Sequence, residues 1–198
     1  HADVDRLWRI KESQHFLIYH HPNATSPEDI VDIAEDFYPQ LDRLIGDAYM
    51  EKIEIWVCQT SEQFRATVHA PIQDWAVGCA YPLSRRIIIQ NPRAIIQHKF
   101  QLSEVIRHEI VHVIFGQRTR HTIDKIPLWF VEGIATYLSS EWTPQRSDLL
   151  MKHIFSKSII PLADLTEEFP KAENLAQLAY AVSQNAVAWL AETEGIEK

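Results

Sequence analysis

The chain is poor in several things at once. Its 198 residues include 5 glycines and 2 cysteines, and 19 lysines and arginines stand against 27 acidic residues for a formal net charge of −8. The shortage of cations excludes a nucleic-acid surface, which needs clustered Lys and Arg to displace counterions from phosphates. Few glycines mean few flexible joints, and no Gly/Ser linker, low-complexity tract or internal repeat divides the chain. No apolar run approaches the roughly 20 residues that a membrane-spanning helix requires. The two cysteines allow one disulfide at most, Cys58 to Cys79, and two buried free thiols fit as well.

What is present is ordinary for a globular protein: 46% hydrophobic and 23% charged residues. A chain of this length buries a full core without disulfides or metals, so any metal it holds would serve chemistry. It starts at His1 rather than Met. That fits a processed start and favours an extracytoplasmic or membrane-anchored protein, its leader or anchor removed, over a cytoplasmic one. The expectation is a single domain over residues 1–198, trimmed from a longer protein at one or both ends.

Along the chain, HFLIYHH (15–21) reads as a strand. Ser26 then supplies an N-cap, Pro27 the first helical position and Glu28-Asp29 an acidic first turn for a helix running to Gly46. In KIEIWVCQ (52–59), Ile53, Ile55 and Val57 alternate with Glu54, Trp56 and Cys58, the period of a strand. Ser61-Glu62 opens a short helix. WAVGCAYP (75–82) and RRIIIQNP (85–92), separated by two or three turn residues, predict a hairpin at a sheet edge. From Leu102 onward the pattern is helical, over 102–116, 128–140, 145–156 and 173–193, with PLADLTEEFP (161–170) as an ordered loop and Gly195 as a helix stop. Strands precede helices, so the class is α+β: an N-terminal mixed sheet with helices, then a mainly helical C-terminal part.

One of those helices carries HEIVH, residues 108–112. Positions i and i+4 lie about 40° apart around a helix, so His108 and His112 project from one face with room for one ion between them. Glu109, about 100° round, can reach a water on the open side of that ion without becoming a ligand. Val105, Ile106, Ile110, Val111, Val113, Ile114 and Phe115 make the helix apolar nearly all round, and a buried histidine pair with a carboxylate is costly unless a shared partner satisfies all three.

A third ligand has three candidates. The pattern HExxHxxGxxH would need glycine at Phe115 and histidine at Arg118; Gly116 and His121 are out of register. Asp124 would suit a short return loop, but the glycine and tyrosine that accompany such an aspartate are missing. Glu132 is the best choice: it lies twenty residues beyond His112 in PLWFVEGIATYL, a second strongly apolar stretch, where an ionised carboxylate needs a partner. Pro127 is placed to begin that helix, and Gly133 permits close helix approach.

With HEIVH, Glu132 in WFVEGIATY and this spacing, the chain resembles the gluzincin clan of zinc metallopeptidases, and more closely the bacterial domains called peptidase MA-like. The resemblance spans residues 14–197 through Trp75 and Gly78, RIIIQNP, the HExxH helix, P-x-W-x-x-E-G, PLADL and AYAVSQNAVAWL. It implies a zincin-like fold, zinc on His108, His112 and Glu132, Glu109 as general base and proton shuttle, Tyr180 as a hydroxyl that steadies the oxyanion, and a peptide or protein substrate. Tyr137 and His153 are weaker alternatives to Tyr180. Two departures stand out. Thermolysin-like members place an aspartate four residues after the ligand glutamate, where this chain has Thr136. The aminopeptidase branch carries an asparagine before that glutamate and a GxMEN edge motif, where this chain has Val131 and VGCAYP, which argues against aminopeptidase action by that device. The expected activity is zinc-dependent endopeptidase; the alternative is a zinc-containing peptide-binding module of little or no turnover. Of the edges, Val77 to Ala80 is the one expected to pair with an extended peptide.

Overall fold

The computed structural model describes residues 8–22, 27–47, 51–69, 72–97, 101–139 and 144–195. These group into two compact units, 1–118 and 119–198. In the first, five strands form one mixed sheet: β1 (Arg9–Glu12), β2 (Phe16–His20), β3 (Ile53–Cys58), β4 (Gly78–Tyr81) and β5 (Arg86–Gln90), in the order β1-β2-β3-β5-β4. β1 is antiparallel to β2, β2 to β3 and β3 to β5 are parallel, and β4 is antiparallel to β5.

Alternation along these strands decides the two faces. Phe16, Ile18, Ile53, Ile55, Val57, Ile87 and Ile89 are fully buried, and the register pairs Phe16 with Ile53, Ile55 with Ile87 and Val57 with Ile89, so they line one side. The other side carries Tyr19, Trp56, Ile88 and Cys79 in a row. Parallel pairing needs crossovers. The first is α1 (Pro27–Leu44), whose buried Ile30, Ala34, Phe37 and Leu41 recur at helical spacing. The second contains α2 (Ser61–Thr67), capped by Thr60, whose side chain accepts from the Gln63 amide at 3.1 Å. Phe64 and Val68 pack with Cys58 and Ile88 on the sheet's second face. The N-cap expected at Ser26 lies outside the described residues; Pro27 and the acidic pair Glu28 and Asp29 do open α1.

Three expectations for this unit are corrected. β1 was not expected, and its four residues are all exposed, which leaves no apolar alternation to read. The hairpin strands are shorter than 75–82 and 85–92. Trp75 falls in a turn before β4, and Arg85 adopts the left-handed conformation, φ 49°, at the end of a 3-10 turn (Pro82–Ser84). Asn91-Pro92 closes no strand; it opens α3 (Pro92–Gln97), with Asn91 Oδ1 accepting from the Ala94 amide at 3.0 Å. Asparagine followed by proline is an N-cap followed by a preferred first helical residue, and that signal outweighs the apolar run before it. The unit ends in α4 (Leu102–Arg118), which runs two residues beyond the expected end because Gly116 is buried inside the helix against Pro82. α4 packs on α1, β4, β5 and the Pro82–Ser84 turn.

The second unit is helical: α5 (Leu128–Ser139), α6 (Pro144–Phe155) and α7 (Glu173–Glu194), with short 3-10 turns at Ile123–Lys125 and Leu162–Leu165. These spans follow the sequence reading to within two residues, except that residue 140 lies outside the described residues. α7 packs against both α5 and α6. Gly195, φ 81°, stops α7 as expected.

Candidate metal centre

In α4 the buried residues Val105, Ile106, Ile110, Val111, Val113 and Ile114 hold the helix against the sheet and α1. His108 and His112 are half-buried. Their Nε2 atoms converge to 3.0 Å, with ring planes at 80°. Two nitrogens on one tetrahedral zinc, each at about 2.05 Å, stand about 3.3 Å apart. The pair is therefore within a few tenths of an ångström of the chelating geometry. Glu109 is only 7% exposed.

What lies over Glu109 was not legible in the sequence. A Cβ built on Gly78, the first residue of β4, would stand 2.5 Å from Glu109 Oε1 and 3.0 Å from both Cδ and Cγ. The carboxylate thus rests directly on the backbone of the edge strand. Cys79, next along β4, registers the same closeness: burial first, and then the charge of Glu109, push its thiol up to about 11.

The other expected residues belong to the second unit. Glu132 is half-buried on the first turns of α5, whose Leu128 amide donates to the carbonyl of Thr166 at 2.9 Å. Gly133 makes the close helix approach expected of it: a Cβ there would fall 2.7 Å from the Ser183 carbonyl oxygen and 2.8 Å from Val187 Cγ2 on α7. Thr136, at the position where thermolysin-like enzymes carry an aspartate, is buried, and its hydroxyl donates to the Glu132 carbonyl at 2.7 Å. Tyr180 is half-buried on α7 with its ring edge-on to Phe169 at 5.1 Å. One turn on, Gln184 is buried and accepts from Arg146 at 3.0 Å.

The weaker candidates sit differently. His153 is engaged at the end of α6, with Nδ1 2.8 Å from the Ser158 hydroxyl, and Tyr137 is half-buried on α5. His121, out of register as a ligand, and Asp124, which lacks the accompanying glycine and tyrosine, are both exposed. Among the described residues, His108 and His112 of the first unit bring their ring nitrogens together, and Glu132 of the second unit offers a carboxylate as a ligand atom.

A family model described as the Peptidase MA superfamily matches residues 33–198. The chain belongs to the Peptidase MA superfamily. That membership makes it a relative of peptidases and agrees with the peptidase MA-like resemblance carried by HEIVH and WFVEGIATY. The match begins inside α1 and runs through β3, β4, β5 and all later helices, so it takes in the whole second unit and the first unit from residue 33 onward. Comparison with curated proteins finds none that matches. Among the described residues, no helix of this superfamily member is long and apolar enough to cross a membrane.

Proposed function

We propose that the chain is a zinc-dependent peptidase of the gluzincin type, acting as an endopeptidase, with His108, His112 and Glu132 as metal ligands and Glu109 as general base. The observation that carries this reading is the convergence of the two histidine Nε2 atoms to 3.0 Å on a helix whose intervening Glu109 is buried. Two imidazoles and one carboxylate form a donor set suited to zinc that keeps one position open. When bound there, zinc would raise the acidity of a water molecule and polarise a peptide carbonyl. Glu109 takes the proton from the attacking water and passes it to the leaving amine. Tyr180 donates its hydroxyl hydrogen to the developing oxyanion. An extended peptide adds to the outer side of β4, which is the last strand of the sheet among the described residues and is paired on its inner side with β5, by main-chain hydrogen bonds.

Glu109→Gln should retain about one zinc per chain and lose hydrolysis by about 10²- to 10⁴-fold, measured on peptides selected from a library with the wild-type chain. Undiminished cleavage would exclude Glu109 as the base. Glu132→Ala should lose zinc, read by elemental analysis; unchanged zinc content would overturn the ligand set. Full zinc occupancy with no cleavage anywhere in a broad library would favour the peptide-binding module instead.

A further inference from the structure

A general base must be held where the proton is. Glu109 has three side-chain torsions, and its place on α4 sets only the direction in which it starts. One contact that limits it comes from β4. The three atoms nearest to a Cβ on Gly78 are Oε1, Cδ and Cγ of Glu109, with no backbone atom among them. Gly78 is an ordinary strand residue paired with Ile89, and its φ is not in the left-handed region. Its backbone would accept any L-residue. Glycine within a strand is destabilising relative to alanine. Space for the carboxylate is the evident reason for glycine here, and the next residue on the same face, Ala80, is also small.

We infer that Gly78 is the positioning residue for Glu109: by lacking a side chain it seats the carboxylate against the edge strand. The inference rests on the general-base reading above. A methyl group at position 78 would drive the carboxylate back by roughly 0.9 Å to reach ordinary contact at 3.4 Å. A misplacement of about 1 Å can cost about 10²-fold in rate. The displaced group is the end of a flexible side chain, so the damage falls on the position of the base more than on the sheet.

The test uses the zinc-loaded full chain and a quenched-fluorescent peptide that the wild type cleaves. Gly78→Ala should keep its zinc, lose about 10²-fold in kcat and shift KM by no more than a few fold. In a Glu109→Gln background the same substitution should cost nothing further. A second readout needs no turnover: in the metal-free chain, Gly78→Ala should lower Tm by a few degrees, but in a Glu109→Ala background, where the space is open, it should leave Tm unchanged or raise it. Wild-type kcat in Gly78→Ala, loss of zinc, or the same Tm shift in both backgrounds would overturn the inference. Wild-type cleavage by Glu109→Gln is a separate outcome: it removes the base itself, and the assignment of Gly78 with it.

Discussion

At the scale of single residues, burial sets the chemistry of the two thiols. Cys58 and Cys79 are free. They lie on the same face of the sheet but on β3 and β4, with β5 between them. Two strand spacings exceed the reach of a disulfide. Burial is the first cause raising each thiol, to about 11 from an ordinary 9.0. Both should therefore resist alkylation in the folded protein at pH 8 and react after unfolding, as mass spectrometry would record. The linkage has a definite sign. Between pH 9 and 11 the unfolded chain releases protons that the fold retains, so stability is full below that window and falls across it. Glu109→Gln should bring the Cys79 thiol down and leave that of Cys58 unchanged, because the charge of Glu109 adds only to the former.

At the scale of elements, close contacts make two joints brittle. α5 meets α7 through Gly133, where a methyl group would strike the Ser183 backbone, an obstacle that cannot swing aside. Gly133→Ala should cost about 1–3 kcal/mol by overpacking, read from denaturant unfolding. The second joint holds α4 at its C-terminal end. Arg85, left-handed at the β4–β5 turn, donates to both oxygens of Asp47 at 2.9 and 2.6 Å and also to Gln117 Oε1. Gln117 in turn donates to the Pro82 carbonyl at 3.0 Å, and Tyr38 to Asp47 at 2.7 Å. The ion pair is nearly dry, with side chains 6% and 3% exposed. Breaking it with Asp47→Ala should cost about 3–5 kcal/mol, since a buried guanidinium is left uncompensated. The same urea titration would report it. Arg85 and Arg86 are adjacent in the sequence, and only the turn geometry separates them, burying the first and leaving the second part-exposed.

At the scale of the whole molecule, the acid limb of stability has an identifiable contributor. Burial alone would raise the Glu35 carboxyl, but the His15 amide at 2.8 Å and the Ser13 and His15 side chains outweigh it and hold it below its ordinary value. A depressed carboxyl contributes stability that is present above the unfolded pKa and lost as pH falls through the folded one. Glu35→Gln should therefore flatten the decline in Tm below about pH 4.5, measured by thermal melts across that range. The sequence by itself determined the α+β class, the helix that carries HEIVH, the second apolar helix with Glu132, and the tight approach at Gly133. Each rests on periodicity, capping or residue size, which act over a few neighbouring positions. Local signals could not supply β1, whose exposed residues have no pattern, or the strand order that puts β4 at the edge beside β5. Tertiary structure alone decided that Gly78 lies against Glu109, thirty-one residues away in the chain, because sheet pairing and the packing of α4 on β4 bring them together.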